Sequence, residues 1–160
     1  LKIIEDGNES TSLRMAAVEA LQNLTLTKLS SKAVARFTTG LAQLAVSVCE
    51  EEMAAVMTPR PSFSPDRLRM RLFAMQHALL GTEEEGSNGL LAIVPEEEGR
   101  SLDQLLNTLK EVDAKIQTLT VTSDREQVVS VLQKNIDDFR ALVAADEEKQ
   151  PSAPQTAENR

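Results

Sequence analysis

Aromatic side chains are almost missing from this chain: it holds four phenylalanines and neither tryptophan nor tyrosine. A core must therefore be assembled from Leu, Val, Ile, Ala and Met. Strands usually draw on β-branched and aromatic residues together, so such a core favours helices and the expected fold class is all-α. Cysteine is nearly absent too. The single one, Cys49, excludes an internal disulfide framework and a cysteine-rich metal site, and it points to a reducing compartment, cytoplasm or nucleus. The single histidine, His77, lacks the partners that a catalytic triad or a zinc site requires. Phosphate-loop and HExxH patterns are missing as well. No apolar run reaches the roughly 18 residues of a membrane span, and no basic start with an apolar middle marks a signal peptide. Cations are the minority charge, 17 Lys and Arg against 25 Asp and Glu for a net charge of −8, which argues against a nucleic-acid partner. These absences point away from an enzyme and away from any cofactor.

What is present is helical patterning. The chain has 160 residues, enough for one domain or a few stacked repeats with a core. Leu1, Ile3 and Ile4 read as the last apolar turn of a helix entered partway through, as in a fragment. Asp6, Gly7 and Asn8 supply a turn, and Ser10 to Ser12 offer capping hydroxyls for the next helix. Between Ser12 and Thr25, Leu13, Ala16, Ala17, Ala20, Leu21 and Leu24 recur at helical spacing. The alanines are expected to admit a neighbouring helix at close range while the leucines fill the contact.

Residues 1–25, LKIIEDGNESTSLRMAAVEALQNLT, resemble the second-to-third helix passage of an armadillo or HEAT-type repeat. Leu13-Arg14, Ala17, Ala20-Leu21 and Asn23-Leu24 fall on its pattern. The resemblance implies an α-α superhelix and protein–protein binding on an extended surface, with plant armadillo-repeat proteins that carry divergent C-terminal helical regions as the nearest kind. In repeats that capture basic peptides a tryptophan stands four residues before the asparagine; here Glu19 holds that place, and Asn23 alone keeps the pattern. Residues 1–57 are accordingly expected to form armadillo-like repeat helices.

From Ser30 to about Met57, the residues Val34, Phe37, Leu41, Leu44 and Val48 form the seam of a helix packed lengthwise. Gly40, preceded by Thr38 and Thr39, is a point where it could kink or split. Cys49 lies on this helix and reads as a small buried hydrophobe. Residues 58–65, TPRPSFSP, interrupt the helices as a proline-rich loop. Thr58 and Ser64 each precede a proline, the context of proline-directed phosphorylation. Arg60, Arg67, Arg69 and Arg71 cluster here in an otherwise acidic chain. Arg67 and Arg71, one helical turn apart, are with Asn23 the candidate partner-binding residues, for an acidic surface or a phosphorylated Ser64.

Residues 66–145 are expected to hold the C-terminal helices. Asp66 is the expected cap of a helix whose core face is Leu68, Leu72, Met75 and Leu79 and which ends at Gly81. Residues 82–88 and 95–100 read as acidic loops around Leu90–Val94, a run that fits either a buried helical turn or an extended segment. Their glutamates lack the register of a calcium loop. Two capping boxes, at 101–104 and 123–126, open an antiparallel hairpin over 101–145. Its stripes are Leu102, Leu105, Leu109, Val112, Ile116 and Leu119, then Val129, Leu132, Ile136, Phe139 and Val143. Residues 146–160 are expected to be a disordered tail. Together these features suggest a monomeric, non-catalytic interaction or scaffold module, the C-terminal end of an armadillo-like protein. The alternative is a stand-alone helical-bundle adaptor or a coiled-coil oligomerisation module.

Overall fold

The computed structural model describes residues 1–21, 29–81 and 89–149, the side chains of 96–98 and 146–149 excepted. Among them are six α-helices and no strand: α1 (Lys2–Glu5), α2 (Thr11–Leu21), α3 (Ser31–Met57), α4 (Pro65–Leu80), α5 (Glu96–Ile116) and α6 (Arg125–Lys149), with a 3-10 turn at Leu90–Ala92. The all-α class read from composition is correct. The segment Leu90–Ala92 resolves as a helical turn with Leu90 fully buried.

Helix α3 touches each of the other five. Its predicted seam is the centre of the core, with Phe37, Leu41, Leu44 and Val48 wholly inaccessible and Val34 nearly so. Ser30 caps it by accepting from the Ala33 amide, and it runs unbroken through Gly40. That glycine serves close packing instead of a kink: a Cβ there would lie 2.8 Å from the Glu5 Cα, so its absence is what lets α1 rest on α3. Helix α6 runs antiparallel to α3. Arg125 at its start donates to the Val56 carbonyl at the end of α3, from Nε at 3.1 Å and Nη2 at 2.7 Å, and to the Thr58 carbonyl. A cation there satisfies carbonyls that the helix end leaves without partners and opposes its dipole.

Several local expectations are corrected. On α2 the buried face is Arg14, Met15, Val18 and Leu21, whereas Ala16 and Ala20 are exposed and Leu13 is 44% exposed. The helix is turned away from the alanine stripe because Arg14 enters the core, where the Ile4 and Gly40 carbonyls accept its hydrogen bonds. Helix α4 is capped by Ser64, whose hydroxyl accepts from the Arg67 amide, with Pro65 in the first position where its missing N–H costs nothing; Asp66 lies in the first turn. Gly81 does end α4, at φ 81°. Gly89 is pressed on that end, for a Cβ on it would come within 2.1 Å of the Leu80 carbonyl carbon.

Helix α5 starts at Glu96 after Pro95, so Ser101 lies inside it and not at its N-terminal cap. Helix α6 starts at Arg125, and Asp124 accepts from the Glu126 amide while Ser123 closes the preceding turn by accepting from the Thr120 amide. Its buried face is Val128, Leu132, Asn135, Ile136 and Phe139, with Val129 and Val143 only half-buried. The helix also continues to Lys149, four residues into the expected tail, because the glutamates and lysine there are good helix formers; residues 150–160 are outside the described residues.

The connection between α5 and α6 spans 117–124, longer than the capping boxes implied. A hairpin closed by a short turn would set Lys115 opposite residue 126 or so, roughly 18 Å along α6 from Asp138 at 1.5 Å per residue. Instead Lys115 Nζ is 2.9 Å from Asp138 Oδ2. The two helices therefore depart from that side-by-side register, and α6 spends its apolar face chiefly on α3.

Candidate partner-docking face

The three glutamates Glu50, Glu51 and Glu52 stand in consecutive positions near the end of α3, where the 100° step of a helix aims them in different directions. Each meets an arginine on another helix. Glu52, 2% exposed, receives Arg67 in a two-pronged pair, Nε to Oε1 at 2.6 Å and Nη2 to Oε2 at 2.7 Å. Arg71 Nη1 reaches Glu51 at 2.7 Å, and Arg140 Nη2 of α6 reaches Glu50 at 2.6 Å. Arg69 pairs with Asp113 on α5 at 2.9 Å. The hydrogen bond to Glu52 raises the Arg67 pKa further above its ordinary value.

Three of the four arginines of the cluster, Arg67, Arg69 and Arg71, are thus ties between helices, while Arg60 is exposed. Arg67 and Arg71 are both brought to the α3–α4 seam, each occupied by a carboxylate. Arg67 also donates to the Ser62 carbonyl at 2.9 Å and so holds the proline-rich loop. Ser64 is half-buried as the α4 cap, and Thr58 is exposed with its hydroxyl on the Ala55 and Arg60 carbonyls. Asn23 lies outside the described residues, as do Leu24 and the glutamates at 83–85.

What remains open is the outer face of α4. Met70 is 73% exposed, Phe73 56% and Leu80 51%, and the Phe73 ring lies against His77, tilted by 46° with centroids 4.1 Å apart. Asp66, Met70, Phe73, His77 and Leu80 are separated by steps of four, three, four and three, so they form one straight stripe. Beside it a depression of about 350 Å³ is bordered by Asp66, Arg69, Met70, Phe73 and Asp113. Sequence reading missed this stripe because the core series Leu68, Leu72, Met75 and Leu79 dominates the same helix. The signal was nevertheless there, as a second apolar series in register with the first.

Cys49 is sealed in the core, and burial, with Glu52 and Glu50 adding, pushes its thiol up to about 12; it is no nucleophile. Among the described residues no group of three or more His, Cys, Asp or Glu side chains is placed to hold a metal ion. No described helix is long and apolar enough to cross a membrane. No protein-family model matches the chain, and neither a curated protein nor a solved structure shows significant similarity to it.

Proposed function

We propose that this chain is a non-catalytic protein–protein interaction module, the C-terminal end of an armadillo-like helical-repeat protein, and that it docks an amphipathic helix of a partner on the outer face of α4. The observation that carries this reading is the stripe of exposed Met70, Phe73 and Leu80 with half-buried His77 against the Phe73 ring. Soluble chains seldom leave a contiguous apolar patch with a polar rim unless it is a contact surface, and methionine and aromatic residues are enriched at such contacts. The alternating steps of three and four are what a second helix meets when it packs lengthwise. The armadillo part of the reading is supported by the motif in residues 1–25.

One observation favours the second reading, a self-contained helical-bundle adaptor: the other helices gather around α3, where a repeat array would stack pairs of helices in sequence. The coiled-coil variant of that reading has less support, because Leu102, Leu105, Leu109, Val112, Leu132, Ile136 and Phe139 are already buried within this chain.

Both readings are tested by placing a photo-crosslinking amino acid at Phe73 and, as a control, at exposed Gln104 of α5, in the cells that make the protein. The expected result is an adduct from position 73 alone, mapped by mass spectrometry to an amphipathic helical segment of another protein. Equal adducts from both positions, or none from 73, reject the docking face.

A further inference from the structure

A groove of about 530 Å³ lies between the α1–α2 turn, the middle of α3 and the last turns of α6, with Arg14, Gln43, Val46, Ser47, Arg140 and Val143 in its lining. Arg14 forms its floor and is only 3% exposed. Its Nε and Nη2 donate to the Ile4 carbonyl at 3.0 and 2.8 Å, and Nη2 donates also to the Gly40 carbonyl at 2.8 Å. The third nitrogen, Nη1, has no acceptor among the described residues. It is not among the buried side-chain atoms without a partner, which are those of Asn135, and Arg14 itself borders the groove.

Carbonyl dipoles satisfy donors but do not neutralise a charge, and a guanidinium held away from water gains most from a carboxylate in the plane of its fork. Arg14 has no such partner within ion-pairing distance among the described residues. Burial lowers its pKa, and Asp6, whose Oδ1 is engaged by the Asn8 amide, opposes that shift from a distance. A second guanidinium, Arg140, stands at the rim, anchored by Glu50. The remaining walls at Val46 and Val143 are aliphatic.

We propose that this groove binds an organic carboxylate, its oxygens on Arg14 Nη1 and its aliphatic body against Val46 and Val143. The site is separate from the α4 stripe, and the inference stands whether or not that stripe docks a helix. A free short-chain acid and a carboxylate borne by a peptide would present the same group.

The test is a titration of the intact protein, followed by NMR amide shifts, with sodium butyrate, with uncharged butyramide, with inorganic phosphate, and with a short peptide ending in valine in its free-acid and amidated forms. Butyrate is expected to move the resonances of Arg14, Gln43, Ser47 and Val143 with a dissociation constant on the order of a millimolar, as suits so small a ligand, and butyramide is expected to leave them in place. Tighter binding by the free-acid peptide than by butyrate assigns the carboxylate to a chain terminus, and weaker binding assigns it to a free acid. Because Arg14→Met can fail to fold, the variant used is Gln43→Glu, which builds a carboxylate into the groove itself: its melting temperature is expected to rise and its butyrate response to fall at least tenfold. No response to butyrate, an equal response to butyramide, or a phosphate response as strong as that to butyrate overturns the proposal.

Discussion

The two halves of α3 handle buried charge in opposite ways. In its first half a cation, Arg14, is brought in from α2 and met, among the described residues, by the carbonyl oxygens of Ile4 and Gly40. In its second half an anion, Glu52, is buried to 2% and met by a guanidinium whose own side chain is 45% exposed. The carbonyl solution requires the backbones to come close, which is why Gly40 sits beneath α1. The ion-pair solution requires no close backbone approach, and there the space between α3 and α4 is spanned by long side chains. The lesson is that one helix serves as packing hub by two routes, close contact at one end and charge at the other.

The contrast is tested most severely at Arg67. Arg67→Met strands a buried carboxylate and is expected to cost about 3 to 5 kcal/mol, while Glu52→Gln leaves an arginine that water can reach and should cost clearly less; urea unfolding of both variants measures the difference. Equal losses would show that Glu52 is not confined as described. At the other end, Gly40→Ala pushes a methyl group against the Glu5 backbone and should destabilise by about 1 to 3 kcal/mol, read by the same unfolding curves. A neutral outcome would mean that α1 does not depend on that contact.

Asn135 sharpens the comparison, since it is fully buried on α6 with neither its oxygen nor its nitrogen bonded. Asn135→Leu removes polar atoms that lack partners and is expected to stabilise by about 1 kcal/mol or more, seen as a higher melting temperature. A lower one would show that the amide has partners in solution. The smallest effect is expected at the exposed pairs. The hydrogen bond from Lys115 holds the Asp138 carboxyl below its ordinary range. Its contribution is therefore full above the unfolded pKa and lost as pH falls through the folded one. With a third of that side chain exposed, Asp138→Asn should cost about 0 to 1 kcal/mol at neutral pH and nothing in strong acid. Unfolding measured across the acid range checks the sign.

Much of the helical layout was legible in the chain. Val34 to Val48, Leu68 to Leu79 and Leu102 to Ile116 repeat apolar residues at the period of a helix, and each such series is buried. The errors fall where a polar residue enters the core or a boundary depends on one contact. Arg14 hid the true face of α2, and Asn135 with Val128 shifted that of α6. Ser101 looked like a cap because nothing in its neighbourhood shows that the helix has already begun. The candidate site was legible only in its parts. The cluster of arginines was visible, but its carboxylates lie 15 residues away for Arg67 and 44 for Arg69, distances over which periodicity carries no information.

Composition and periodicity by themselves determined that this is a helical protein with an aliphatic core, and where most of its helices lie. These are local properties, set by side-chain volume, backbone preference and the step of 100° per residue. Only the tertiary structure decided that α6 lies on α3, that Arg67, Arg69 and Arg71 are spent on Glu52, Asp113 and Glu51, that Arg14 is drawn inside, and that Met70 and Phe73 are left outside. Each of these depends on which helix faces which, and that choice is made by the sum of many weak contacts between residues far apart in the chain.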